Sequence, residues 1–223
     1  MEQPGVIQVV SDVVCPWCYI GKRRLEKALE RLGRGDVAVR WTAFQLNPGA
    51  PREGWNRREY RTAKFGSAEV SARLEARVAE AGAQEGIGFR FDRIEKTPNT
   101  FDAHRLIWLA GQGTVQDAVV ERLFQAYFLE GRNVGDRAIL REIGTSAGLE
   151  GSRIGELFAG ELGVAEVRRE EEAARSYGVS GVPTFFLNGE PLTSGAHPPE
   201  LLANMLRPVL GENVCTVGTG DCG

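Results

Sequence analysis

Two cysteines three residues apart, Cys15 and Cys18, stand behind one short apolar run and directly ahead of an amphipathic stretch. The run, Val6-Ile7-Gln8-Val9-Val10, is β-branched and nearly continuous in hydrophobicity, the pattern of a strand buried on both faces. Residues 11–14 form a loop. Beyond the cysteines, Gly21, Leu25, Ala28, Leu29 and Leu32 fall on one helical face, and Gly33 supplies a stop. Val37, Val39 and Trp41 then alternate with Ala38, Arg40 and Thr42, which predicts a second strand. The chain therefore opens β–α–β, with the cysteine pair at the strand-to-helix junction.

It closes ββα. Val182-Pro183-Thr184-Phe185-Phe186-Leu187 reads as a short apolar strand, and Asn188-Gly189 is a strong hairpin signal leading into Leu192-Thr193. Pro191 places the returning strand at a sheet edge. Leu201, Leu202, Met205, Leu206, Val209 and Leu210 mark a last amphipathic helix. The middle is helical. Glu59 to Ala83 is charged and Ala-rich, without a clear stripe. Asn99 or Thr100 caps a helix from Phe101 to Leu109, and Val120, Leu123, Phe124, Tyr127 and Phe128 form the clearest stripe. Asp136 caps a helix carrying Ile139, Leu140 and Ile143; Ile154, Leu157 and Phe158 form a short one, and Val164 to Tyr177 another. Neither terminal half can bury its sheet alone. The expectation is one α/β domain built from 1–50 plus 163–210, an all-helical insertion over 51–162, and a Gly-rich tail, 211–223.

At 223 residues, 42% hydrophobic and 26% charged, a core forms without structural staples, and four cysteines do not make a disulfide scaffold. A net charge of −3 with interspersed signs excludes the basic footprint of a nucleic-acid or membrane-surface binder. The N-terminus lacks a signal-peptide pattern, and no run of about 18 apolar residues suits a membrane span. The expectation is a cytoplasmic protein, where a cysteine pair is catalytic or metal-binding rather than structural.

Cysteines three apart at a helix start lie on adjacent turns, close enough to form a disulfide. The first sits near the unpaired N–H groups and positive end of the helix dipole, which favour its thiolate. The thiolate is the attacking form in disulfide exchange. Pro16 suits an early helical position, and Lys22, Arg23 and Arg24 add positive potential further on. Cys15, the more N-terminal and accessible, is the expected nucleophile, and Cys18 the resolving thiol. An inert buried pair and half of a zinc site are the competing readings. In Gly181-Val182-Pro183-Thr184, the proline is either a trans strand initiator or one of the minority of cis prolines. In such a fold this loop faces the nucleophile, where the Val182 backbone can pair with an extended substrate strand.

The segment from Ser11 to Lys22, containing Cys15-Pro16-Trp17-Cys18, resembles the active-site segment of DsbA-family oxidoreductases, specifically the FrnE-like branch. Phe44 to Pro48, Asn99 to Arg105, Val179 to Phe186 and Ser194 to Pro199 resemble the same branch, in order along nearly the whole chain. The resemblance implies a thioredoxin-like fold with a helical insertion, a cis Pro183, and dithiol–disulfide exchange on protein substrates. No cofactor beyond the redox-active disulfide is implied, with glutathione or thioredoxin systems as electron sources. Kappa-class glutathione transferases and hydroxychromene-carboxylate isomerases resemble the chain in architecture but carry serine at the Cys15 position. A glutathione-dependent transferase or isomerase of small aromatic compounds is therefore the alternative function. Cys215 and Cys222 look like the extra C-terminal pair of some FrnE-like members, but spaced more widely. They stand as a redox-active or regulatory second pair, a passive disulfide, or unpaired thiols or metal ligands.

Among the other residues, Trp17 is expected as a partly exposed substrate contact. His104 and Asn99 are candidates for the cleft around Cys15, although a satisfied buried histidine and a helix cap explain them as well. His197 reads as turn surface. Gln45 and Asn47 border the site or serve turns, and Glu170-Glu171-Glu172 reads as a solvated helix face.

Overall fold

The computed structural model describes residues 5–211. Its central sheet has the order β2-β1-β5-β6, built from β1 (Val6–Ser11), β2 (Ala38–Ala43), β5 (Thr184–Leu187) and β6 (Glu190–Ser194). β1 pairs in parallel with β2 and antiparallel with β5, so the strand leading to the cysteines is interior. The β5–β6 hairpin turns on Asn188 (φ 54°) and Gly189 (φ 87°), the two positive-φ positions that a tight two-residue turn needs. Pro191 lies in β6, the edge strand.

Strand alternation divides the core between the two sheet faces. Ile7 and Val9 of β1 face the same way as Phe185 and Leu187 of β5. On that face they pack with α1 (Pro16–Arg31) and α9 (Pro199–Leu210), through Ile20, Leu25, Leu202 and Leu206. Val10 and Phe186 point to the other face, where Ala174 of α8 (Val164–Ser176) and Phe44 meet them.

The segment between β2 and α8 adds no strand to this sheet. It contains α2 (Arg57–Phe65), α3 (Ala68–Gln84), α4 (Phe101–Ala110), α5 (Gln116–Phe128), α6 (Arg137–Ser146) and α7 (Gly151–Ala159). It also contains a ribbon of two residues per strand, β3 (Trp55–Asn56) with β4 (Lys96–Thr97). The charged, Ala-rich stretch from Glu59 to Ala83 falls in two helices. Gly66 (φ 89°) ends α2, and the Ser67 hydroxyl accepts the Val70 N–H to start α3. Asp136 caps α6 through the Ala138 N–H.

The outer edge of β2 is closed by side chains. Gln116 of α5 accepts the Trp41 N–H at 3.0 Å and donates to the Trp41 carbonyl at 2.9 Å. Glu170 of α8 accepts the Ala43 N–H at 2.9 Å, and Glu171 accepts the Gln45 N–H at 2.8 Å. An open edge would invite pairing with another chain. These bonds correct the reading of Glu170 and Glu171 as solvated, and burial raises the Glu170 carboxyl above its usual range. Glu172 is exposed. No helix among the described residues is long and apolar enough to cross a membrane.

Candidate active site

β1 ends at Ser11, and a tight turn carries Cys15 to the N-cap of α1, with Pro16 as the first helical residue. The Cys15 N–H donates to the Asp12 carbonyl at 3.0 Å, and the Cys18 N–H to the Cys15 carbonyl at 3.0 Å. Both are thiols in this structure. Cys15 is 6% exposed and Cys18 is fully buried. Burial, with the Cys15 thiol hydrogen-bonded beside it, pushes the Cys18 thiol well above the ordinary thiol range. A sulfur placed so stays protonated at neutral pH and is screened from a solvent-borne disulfide.

Across from Cys15 lies the loop before β5, where the Val182–Pro183 peptide bond is cis. The Cys15 thiol donates to the Val182 carbonyl at 3.5 Å. The loop is fastened from behind: Gly195 N–H donates to the Pro183 carbonyl at 2.7 Å, and the Thr184 hydroxyl to the Gly181 carbonyl at 2.8 Å. Gly21 seats it on α1. A methyl group at Gly21 would stand 2.9 Å from Pro183 Cγ and 3.5 Å from Phe185 Cζ, so only glycine admits this approach without a shift.

Asp12 anchors the turn from beneath. It is fully buried, and its Oδ2 accepts the Leu46 N–H at 2.8 Å, fixing the β2 exit loop to the cysteine turn. Its Oδ1 lies 3.4 Å from Nε2 of the buried His104 on α4, and neither atom has a hydrogen-bond partner among the described residues. On the open side of Cys15, a cavity of about 390 Å³ runs between the motif and α2–α3. Trp17, Leu46, Phe65, Leu74 and Val78 supply apolar wall, and Arg57, Arg61, Lys64 and Arg77 supply charge. Among the described residues no group of three or more His, Cys, Asp or Glu side chains converges to hold a metal ion.

Residues 6–207 fit the family model of the DSBA-like thioredoxin domain. The chain belongs to that family. The probable DsbA oxidoreductase SCO1869 from Streptomyces coelicolor is 33% identical, with 94% of this chain and 92% of that chain covered and a TM-score of 0.85. Uncharacterized protein YwbO from Bacillus subtilis is 26% identical over 192 residues, 85% of this chain and 90% of that protein. The cytosolic disulfide reductase DsbM from Pseudomonas aeruginosa is 20% identical, covers 92% of this chain and 98% of its own, and has a TM-score of 0.63. At that identity the likeness is one of fold alone.

The DSBA-like domain brings Cys15, Pro16, Trp17, Val182 and Cys18 together, with Trp17 39% exposed. Pro183 seats its ring on α1. It does not bring Asn99 or His104 into the cavity beside Cys15. Asn99 donates to the Ala50 carbonyl at 2.7 Å and accepts the Phe101 N–H at 3.0 Å, so it holds the start of α4. His104 is buried behind Asp12. Gln45 is buried too, whereas Asn47 lines the cavity and accepts the Tyr60 hydroxyl at 2.5 Å. His197 is half-buried in the turn before α9. Lys22, Arg23 and Arg24 do not project free charge toward Cys15: Lys22 pairs with Glu26 and Asp117, Arg23 with Glu26 and Glu121, and Arg24 with Glu85. Cys215 and Cys222 lie outside the described residues. Sequence reasoning missed Asp12, the seating role of Gly21 and the α2 side chains of the cavity. Only the Gly66-Ser67 break carried a local signal for where α2 ends.

Proposed function

We propose that this DSBA-like chain is a thiol–disulfide oxidoreductase and isomerase acting on protein substrates, with Cys15 as nucleophile and Cys18 as resolving thiol. The observation that carries this reading is the unequal placement of the two sulfurs. Cys15 stands at the N-cap position of α1, at the mouth of a cavity and under the Val182 carbonyl, while Cys18 is sealed beneath it.

In the forward direction the Cys15 thiolate attacks one sulfur of a substrate disulfide. That S–S bond breaks, the other substrate sulfur leaves as a thiolate and takes a proton, and Cys15 carries the mixed disulfide. Cys18 then loses its proton and attacks Cys15, releasing the second substrate thiol and leaving the Cys15–Cys18 disulfide. The raised Cys18 thiol slows this second step, which leaves time for a wrong pairing to rearrange. An extended substrate segment beside Val182 adds backbone hydrogen bonds without sequence demands. The reading carries with it the FrnE-like branch, a reducing cytoplasmic setting, and glutathione or thioredoxin systems as electron donors.

Insulin reduction and refolding of a scrambled disulfide protein test the proposal, wild type against Cys15→Ser. Activity in the wild type and none in the variant supports it. Full activity in Cys15→Ser overturns it and favours a glutathione-dependent transferase or isomerase of small aromatic compounds.

A further inference from the structure

The Val182 main chain offers a substrate strand two groups, and they belong to different peptide units. The carbonyl lies in the Val182–Pro183 unit and faces the Cys15 thiol at 3.5 Å. The Gly195 N–H, donating to the Pro183 carbonyl at 2.7 Å, holds that side of the loop. The N–H lies in the Gly181–Val182 unit, and it has no acceptor among the described residues. The space beside it is open: a Cβ placed on Gly181 meets nothing within 4 Å. An unpaired N–H at an open edge next to the nucleophile is a docking point for another main chain.

The direction of that N–H is set from behind. A trans peptide unit is planar, so the Gly181 carbonyl and the Val182 N–H point opposite ways. Whatever anchors the carbonyl therefore aims the N–H. The anchor is Thr184 Oγ1, 2.8 Å from the Gly181 carbonyl and 2.9 Å from Ser194 Oγ. A hydroxyl carries one proton, and a carbonyl can only accept. Thr184 thus spends its proton on Gly181 and accepts that of Ser194, a chain running from Ser194 through Thr184 to Gly181. The Pro183 carbonyl, the other acceptor near Ser194, lies at 3.5 Å and is already served by Gly195. Thr184 is buried and stands opposite Ser194 in the β5–β6 ladder, so the hairpin register delivers both hydroxyls to the loop.

We propose that Thr184 and Ser194 are positioning residues for exchange with protein disulfides: their hydroxyl chain keeps the Val182 N–H turned outward to the main chain of the substrate. This rests on the protein-disulfide exchange proposed above. A disulfide with no peptide main chain beside it gains nothing from that N–H, so the two hydroxyls separate protein substrates from small ones. The electron balance is the same for both. The reduced chain forms the Cys15–Cys18 bond and gives up two electrons and two protons, and the substrate disulfide becomes two thiols.

The test mixes the reduced full chain with insulin or with 2-hydroxyethyl disulfide and reads the loss of free Cys15 and Cys18 by alkylation and mass spectrometry. Each protein's insulin rate is divided by its own rate with 2-hydroxyethyl disulfide, which removes any change in the reactivity of Cys15 itself. The ratio should fall about tenfold in Thr184→Val, the scale of one main-chain hydrogen bond lost. Thr184→Ser, which keeps the hydroxyl, should restore it. Ser194→Ala, at an exposed position, should lower the ratio several-fold, and it decides alone if Thr184→Val does not fold. An undiminished ratio in a folded Thr184→Val or in Ser194→Ala overturns the assignment while leaving exchange at Cys15 intact, and so does a Thr184→Ser ratio as low as that of Thr184→Val. A wild type that reduces 2-hydroxyethyl disulfide but not insulin overturns the protein-substrate reading as well, and one that reduces neither overturns exchange at Cys15.

Discussion

Replacing Gly21 by alanine perturbs the seat of the Val182–Pro183 loop and nothing else in the motif. On helix propensity alone the change would stabilise α1 by about 1 kcal/mol. Here the added carbon arrives 2.9 Å from Pro183 Cγ, where carbon atoms rest comfortably at about 3.5–4.0 Å. The proline ring must therefore retreat by roughly 0.5–1 Å. It cannot retreat freely, because its carbonyl is held by the Gly195 N–H and the next residue by the Gly181 carbonyl and the Ser194 hydroxyl. Overpacking of this kind costs about 1–3 kcal/mol, so the net expectation is a loss of about 1 kcal/mol. The displacement also lengthens the contact from Cys15 Sγ to the Val182 carbonyl, already 3.5 Å. Urea unfolding of the reduced proteins measures the first effect, and insulin reduction the second, where a several-fold fall is expected. A Gly21→Ala variant as stable as the wild type or more so, with undiminished exchange, refutes the reasoning.

Three further outcomes follow from the same geometry. In the reduced native protein, iodoacetamide at neutral pH should label Cys15 and spare Cys18, because burial raises the Cys18 thiol; equal labelling of both contradicts this. Asp102 lies between Arg105 and Arg137, and although burial alone pushes its carboxyl up, the two guanidiniums hold it below the usual range. Its contribution is therefore complete above the unfolded value of about 3.9 and lost as pH falls through the lowered native one. Asp102→Asn should cost about 1–3 kcal/mol at pH 7, with the difference narrowing in acid. Lys22 shows the opposite sign: burial pulls its ammonium down, but Asp117 and Glu26 outweigh it and leave it raised. Lys22→Met should lose about 1–2 kcal/mol at neutral pH, and the gap to wild type should close as pH climbs past about 10.4, read by thermal unfolding across the alkaline range.

The framework was legible because its signals are local. The β-branched run of β1, the Asn188-Gly189 turn, Pro191 on an edge strand and the Asp136 cap each concern neighbours within a few residues. The cysteine pair was legible for the same reason, since three-residue spacing at a helix start decides which sulfur is outermost. What escaped depends on distant partners. Asp12 and His104 meet from 92 positions apart, and Glu170 and Glu171 reach the main chain of residues 43 and 45. Glu170–Glu172 has the composition of a solvated face, and only packing of α8 on β2 turns two of its carboxylates inward. The basic cavity arises where α2 folds back over the motif, and no periodicity in that charged stretch marks it. The β3–β4 ribbon, two residues per strand, is shorter than any alternation can reveal.

The division of labour between Cys15 and Cys18 is tested most directly by trapping. The Cys18→Ser variant, incubated with a scrambled disulfide protein and resolved by non-reducing mass spectrometry, should accumulate a mixed disulfide through Cys15. Cys15→Ser should accumulate none. A mixed disulfide on Cys18 in the Cys15→Ser protein, or none on Cys15 in the Cys18→Ser protein, would contradict the assignment.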